Sequence, residues 1–288
     1  MFIRSLLAII LFAAPAYPQE ATLLGSYRWE DANALHGGFS ALEFDASGQK
    51  FITVSDRGSV GVGRVQRDEN GVVSSVTLEG LAPLKGVNSD ELSRYDTDSE
   101  GLAVAEDGTL YVSFEGNHRI WSYATPNARA VPIDGHVDFA SLQTNSGLEA
   151  LAVDSKGRLL TLPERSGDKL RPFPVYRYNG NTWSQPFALR RDGEYLPVAL
   201  DVGPDGRLYL LERWFRGIGF SSRVRRFDLG EEGLSGEVTL IETGLGTHDN
   251  LEGMAVWRDE AGIRITLISD DNFKPFQITE FVDYRVAD

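Results

Sequence analysis

The chain of 288 residues contains no cysteine. That excludes disulfide staples, a lipid carried on an N-terminal cysteine, thiol catalysis and zinc–thiolate sites. Histidine is scarce, at four residues, so carboxylates are the abundant metal-ligating groups. Positive charge is outnumbered: 28 Lys and Arg face 42 Asp and Glu, a formal net charge of −14. The overall field of such a surface does not attract nucleic acid or anionic lipid. No long stretch shows helical periodicity. There is no P-loop, no H-E-x-x-H and no dinucleotide fingerprint. A nucleophile elbow is missing too, since Gly38-Phe39-Ser40-Ala41-Leu42 lacks the second glycine.

Long apolar runs are also absent beyond the first residues. There Arg4, the apolar stretch Leu6 to Ala14 and the small-residue pattern Ala14-Pro15-Ala16 read as an export signal over residues 1–16. The stretch is too short to anchor a protein permanently in a bilayer. The expectation is a periplasmic or secreted monomer with no membrane span after signal cleavage. A composition that is 42% hydrophobic suffices to bury a substantial core, read as a single domain over residues 21–288.

What the chain does have is a repeat. One glutamate recurs in Ser99-Glu100-Gly101-Leu102-Ala103-Val104, Leu148-Glu149-Ala150-Leu151-Ala152-Val153 and Leu251-Glu252-Gly253-Met254-Ala255-Val256. Around it lie units of a short apolar strand, a turn rich in Asp, Ser and Gly, and a second apolar strand. The turns are Ala46-Ser47-Gly48, Glu106-Asp107-Gly108, Ser155-Lys156-Gly157, Pro204-Asp205-Gly206 and Glu260-Ala261-Gly262. Each unit is a β-hairpin signature. Two further extended segments usually follow, as in Val175 to Tyr178 with Trp183 to Leu189. Four strands per unit around an axis predict an all-β fold, a β-propeller. Thr22 to Trp29 and Gln277 to Tyr284 are left over at the two ends. Their pairing would close the ring and remove two open sheet edges. The count is five blades, with six as the alternative, because the connection Leu81 to Asp98 has no assigned place. It reads as a surface insertion carrying Lys85, Asp90, Glu91 and Arg94.

In a hairpin the start of one strand and the end of the next share an edge. Glu100 with Glu115, Glu149 with Glu164, and Glu252 with Asp270 should therefore meet on one face, joined by Asp56 and Glu212. Ser40 and Val198 stand where the other two units lack the first glutamate. Converging carboxylates repel unless something positive sits among them. An all-oxygen set favours a hard cation, calcium first, with Asp98 of Asp96-Thr97-Asp98-Ser99-Glu100-Gly101 contributing. That segment looks like the opening of an EF-hand loop, but a strand follows, which rejects the motif. Each glutamate taken alone could equally pin strands by accepting backbone N–H bonds.

Basic residues follow the carboxylates, at Arg57, Arg165 and Arg213, with His118 and Arg119 in the second unit and Lys274 in the fifth. Arg57, Arg165, Arg213 and Lys274 are candidates to grip an anionic substrate; local salt bridging is the competing reading. Trp214, Phe215 and Phe220 flank Arg213 and Arg216, to wall a pocket or to pack beneath the loop. His248 is a candidate acid or base beside Asp249-Asn250, though a loop histidine is more often structural.

At Gly38-Phe39-Ser40-Ala41-Leu42, Ser55-Asp56-Arg57-Gly58, Asp98-Ser99-Glu100-Gly101-Leu102-Ala103, Gly147-Leu148-Glu149-Ala150-Leu151 and Asn250-Leu251-Glu252-Gly253-Met254 the chain resembles the phytase-like family named for esterase-like activity of phytase. The resemblance covers essentially the whole chain after the signal. It implies an exported β-propeller and suggests phosphoester or ester hydrolysis. The resulting expectation is a calcium-assisted hydrolase of a small anionic or ester substrate, with Glu100, Glu149, Glu252 and His248 at the reaction centre. Two other readings stand beside it. One is a binding module in which metal only staples the propeller; the other is a lactone hydrolase similar to gluconolactonase-like proteins.

Overall fold

The computed structural model describes residues 21–144 and 146–287. The expected export signal over residues 1–16 lies outside the described residues. The turns read from the sequence close hairpins, and the hairpins extend into five four-stranded antiparallel sheets. Blade I comprises β2 (Phe39–Phe44), β3 (Lys50–Ser55), β4 (Ser59–Arg67) and β5 (Val73–Pro83). Blade II comprises β6 (Ser99–Val104), β7 (Leu110–Phe114), β8 (Arg119–Tyr123) and β9 (Val131–Ile133). Blade III comprises β10 (Leu148–Val153), β11 (Leu159–Pro163), β12 (Phe173–Tyr178) and β13 (Trp183–Leu189). Blade IV comprises β14 (Leu196–Val202), β15 (Arg207–Phe215), β16 (Phe220–Leu229) and β17 (Leu234–Glu242). Blade V takes β18 (Asn250–Asp259), β19 (Gly262–Asp270) and β20 (Glu280–Val286) from the C-terminal part, and β1 (Ala21–Arg28) as its outer strand. β1 runs antiparallel to β20, from Ala21 opposite Val286 to Arg28 opposite Glu280. The ring is thus closed by the pairing of terminal strands, with five blades.

The first strands touch in a closed circle, β2 against β6, then β10, β14, β18 and back to β2. Apolar cores fill the wedges between blades. One joins Phe39, Phe51 and Trp29 to Phe281 and Ile268; another joins Leu160 and Phe173 to Leu200 and Phe227. Strands buried on both faces carry nearly continuous apolar runs, as Leu208 to Leu211 does. The β5–β6 connection, residues 84–98, is anchored by the buried Leu84 against blade II and by an Arg129–Asp90 ion pair at 2.8 Å. Only one helical segment occurs among the described residues, a 3-10 turn at Val137–Ser141. No helix among them is long and apolar enough to cross a membrane.

All five first strands share one irregularity. The register slips immediately after Phe39, Ser99, Leu148, Pro197 and Leu251. A β-bulge leaves one residue unpaired and re-aims its side chain. The re-aimed residues are Ser40, Glu100, Glu149, Val198 and Glu252. Hydroxyls on the second strands satisfy backbone groups freed there. Thr53 donates to Ala41 O at 2.6 Å, Thr161 donates to Ala150 O at 2.9 Å, and Ser113 Oγ accepts from Gly101 N at 2.9 Å. After Glu252 the circle is too tight for a side chain. A Cβ on Gly253 would lie 2.5 Å from Ile268 Cγ2 and 2.9 Å from the Ala41 carbonyl carbon.

Candidate metal centre

The bulges place Glu100, Glu149 and Glu252 on the inner strands, where Glu100 and Glu149 line a small axial cavity with Leu102, Leu151, Leu200 and Met254. A second tier lies at the ends of the second strands. Ser55, Phe114, Pro163, Glu212 and Ser269 are register partners of Phe39, Ser99, Leu148, Pro197 and Leu251. The residues that follow them are Asp56, Glu115, Glu164, Arg213 and Asp270. Four blades therefore place a carboxylate in the second tier, and blade IV places a guanidinium there.

Glu212 departs from the expected acidic ring for this reason. It sits one residue before the tier position, and a one-residue step turns a strand side chain to the opposite face. Fully buried in blade IV, Glu212 accepts from Arg223 Nε at 2.9 Å, Arg225 Nε at 2.8 Å and Arg225 Nη2 at 2.6 Å. Arg213, read from the sequence as a candidate to grip an anionic substrate, instead occupies the mouth and is held by its carboxylates. Its Nη1 donates to Asn250 Oδ1 at 2.8 Å and to Glu252 Oε1, and its Nη2 reaches Glu164 Oε1 at 3.4 Å. Burial disfavours its charge, but Glu252, Glu149, Glu164 and Glu100 outweigh that and hold it more firmly protonated than usual.

The remaining candidates divide. Arg165 lies at the rim, more than half exposed, 3.2 Å from Glu164. Arg57 is also exposed and stacks 3.4 Å over the Phe273 ring. Lys274 is exposed, 6.0 Å from the Phe276 ring centre. His248, in the loop before β18, packs on the third strand of blade V, with Tyr284 Oη at 3.2 Å and Glu280 at 3.5 Å.

Electrostatically the mouth has two halves. Arg213 neutralises the side formed by Glu164 and Glu252, where Asn250 Nδ2 also donates to Glu252 at 2.8 Å and to Asp270 at 3.3 Å. On the other side Asp56, Asp98, Glu100 and Glu115 have no ion-pair partner among the described residues. Asp98, Glu100 and Glu115 each bring an oxygen within 4.8 Å of the others. Asp56 Oδ1 is buried without a hydrogen-bond partner. Glu115 Oε1 accepts from Gly147 N at 2.8 Å.

Burial, then the neighbouring charges, pushes Asp56, Glu100, Glu115, Glu149 and Asp270 toward their protonated forms. Asp56 and Glu115 rise to about 7, Asp270 to about 8, and Glu100 and Glu149 go well above the carboxylate range. Buried carboxylates with oxygens this close either take up protons or share a cation. The all-oxygen donor set and the orphaned Asp56 oxygen fit a hard divalent cation on the unpaired side.

Two features of the site were not singled out from the sequence. Asn250 joins Arg213 to Glu252 and Asp270; only its place beside Glu252 signals this. Asp271 braces the β1–β2 loop by accepting from Gly38 N at 3.0 Å.

No curated protein matches the chain. The family model named Phytase-like, described as esterase-like activity of phytase, matches residues 35–273. That span contains every carboxylate of both tiers and most of the sequence. On that extent of match the chain belongs to the Phytase-like family.

Proposed function

We propose that the protein is an exported, calcium-assisted hydrolase of phosphoesters or related esters. Family membership and the propeller fold fit a hydrolase. The observation that carries the metal reading is the unpaired half of the mouth. Asp98, Glu100 and Glu115, with Asp56 beside them, would hold the cation. Bound there, calcium supplies positive charge to stabilise an oxyanion developing on the ester. Arg213 keeps Glu252 and Glu164 in place and lowers the repulsion across the mouth. Arg165 and Arg57, exposed at the rim, are placed to orient an anionic substrate group by charge-assisted hydrogen bonds.

The test is turnover of an aryl phosphate and an aryl carboxylic ester by purified protein, with calcium and with chelator. Calcium-dependent turnover lost in Glu100→Gln supports the reading; no turnover with any divalent metal refutes it. The non-catalytic alternative has its own support, because Asp56 belongs to blade I and Glu100 and Glu115 to blade II, so one cation would tie two neighbouring blades together. It predicts a calcium-dependent melting temperature without turnover.

A further inference from the structure

Loops joining second to third strands, and fourth strands to the next blade, emerge on the face that carries the carboxylate mouth. Apart from Leu23 on β1 and Val131 on β9, every exposed large hydrophobic side chain among the described residues lies on those loops or, as Phe215 does, at the strand end that enters one. The hairpin turns of the opposite face carry none. Single exposed apolar residues need no explanation, but a one-sided set marks an interaction surface.

The set is densest at blades III and IV. Leu170 tips the β11–β12 loop with 90% of its surface exposed, and Ile218 tips the β15–β16 loop with 90% exposed. Phe215 and Phe220 lie 5.1 Å apart at the base of that second tip. Leu245, from the β17–β18 loop, packs beside Gly219 and extends the patch.

Cations are interleaved with these tips. Lys169 and Arg171 bracket Leu170, and Arg216 lies between Phe215 and Ile218. Arg171 donates to Ser166 O at 3.4 Å, Arg191 donates to Gly193 O at 3.4 Å, and Arg216 stacks 4.3 Å over Trp214. None of these three arginines has a carboxylate partner among the described residues. Lys169 pairs with Glu194 at 3.0 Å, an exposed contact worth little. The Asp168 carboxylate accepts from Leu170 N at 2.8 Å and shapes the tip. The pairing of apolar tip and cation recurs around the face, with Arg94 beside Tyr95 and Lys274 two residues before Phe276.

We propose that this face docks on an anionic lipid bilayer. The tips of blades III and IV place Leu170, Phe215 and Ile218 among the headgroups, and Arg171, Arg191 and Arg216 contact lipid phosphates. Apolar side chains at separate tips, with cations alongside, match the layered chemistry of a bilayer interface. A protein partner would be expected to cover a continuous patch with an apolar centre and a polar rim. The net charge of −14 supplies no long-range attraction to such a bilayer, so docking rests on the contacts at the tips. Exposed charges are screened beyond about 8 Å at physiological ionic strength, so the lipid meets the local arginines. The inference is independent of whether the mouth turns over an ester.

The experiment is vesicle co-sedimentation of the full mature chain in chelator, which removes calcium bridging between the mouth and lipid phosphate. Vesicles are phosphatidylcholine alone or mixed with phosphatidylglycerol. The expected result is binding to the mixed vesicles, weakened by salt, with little binding to phosphatidylcholine. Leu170→Asp and Ile218→Asp should each weaken binding roughly tenfold or more, the scale of losing one buried aliphatic side chain. Arg171→Glu with Arg216→Glu should do the same through charge. All these positions are exposed, so the variants should keep the wild-type circular dichroism and melting temperature. Absence of binding to mixed vesicles overturns the proposal. So does binding seen only with calcium, or binding unchanged in every variant. A concentration-dependent dimer lost in Ile218→Asp would also overturn it, by making the patch a contact between two copies.

Discussion

Glu212 and Arg213 are neighbours in the chain and lie on opposite sides of β15, one locked to Arg223 and Arg225, the other bonded to Glu252 in the mouth. The single cation of the second tier is therefore a registered member of the repeat. It stands where Asp56, Glu115, Glu164 and Asp270 stand in the other blades. Substitutions at the two positions should separate cleanly.

Glu212→Gln leaves Arg225 and Arg223 without their anion inside blade IV. Breaking such a buried pair costs about 3–5 kcal/mol, so the melting temperature should fall by roughly 10 °C. Calcium affinity should hold. Arg213→Gln should also lower stability without calcium, but it should tighten calcium binding, because Glu252 and Glu164 lose their counter-ion. Thermal melts and calorimetric titration check both; equal calcium affinities in Arg213→Gln and wild type would refute the division of the mouth.

Calcium should raise the melting temperature of the wild-type protein by mass action, about 2.7 kcal/mol of stabilisation at one hundred times the dissociation constant. Glu100→Gln and Glu115→Gln should lose most of that gain, since both belong to the unpaired set. Gln for Glu164, which shares Arg213, should lose less. Scanning fluorimetry across a calcium series is sufficient, and a uniform response in all three variants would argue against a localised site.

Gly253→Ala forces a methyl group onto the Ala41 backbone, which cannot yield without opening the circle of first strands. The expected loss is about 1–3 kcal/mol. Because the residue follows Glu252, on the half of the mouth that Arg213 already neutralises, calcium affinity should change less than the melting temperature. Chemical denaturation with and without calcium tests this; a neutral substitution would mean that the circle is looser than described.

The far end of the channel holds another carboxyl pair, Glu43 on β2 and Asp201 on β14. Burial raises both, Glu43 also feels Asp201, and Asp201 rises from an ordinary 3.8 to about 7. The folded protein thus keeps a proton that the unfolded chain releases, so this contribution is complete below pH 3.8 and is lost as pH rises through about 7. Asn at 201 cannot ionise and still offers an oxygen to Val256 N, which donates to Asp201 at 2.6 Å. Asp201→Asn should melt several degrees above wild type at pH 8 and level with it at pH 4. A difference that does not change with pH would refute the assignment.

Much of the architecture was legible because turn chemistry punctuates it. Gly48, Gly108, Gly157 and Gly206 end first-to-second strand turns with positive φ, which glycine supplies at no steric cost. The leftover strands at the two ends signalled the closure. The repeated glutamate located the bulges, since Glu100, Glu149 and Glu252 each occupy one. The phase of β15 was not legible. Leu208 to Leu211 is apolar on both faces, so no alternation distinguished Glu212 from Arg213 as the residue facing the mouth. Glu43 and Asp201 were equally hidden, being far apart in sequence and joined only across the channel. His248 looked close to the mouth because it precedes Glu252, yet the chain enters blade V from outside and leaves it beside Tyr284.

Closure of the ring by β1 on β20 has a kinetic meaning as well. The contact between Ala21 and Val286 is among the longest sequence separations the chain can make. Contacts of that kind pay their loop-closure entropy late and slow folding. Blades I to IV can each pair their own strands from local hairpins, while β1 must wait until the final strand is available. Until then blade V presents β20 as an unpaired edge. Among the blade pairings, β1 on β20 therefore carries the largest loop-closure cost, and it is set by two distant segments of the chain finding each other.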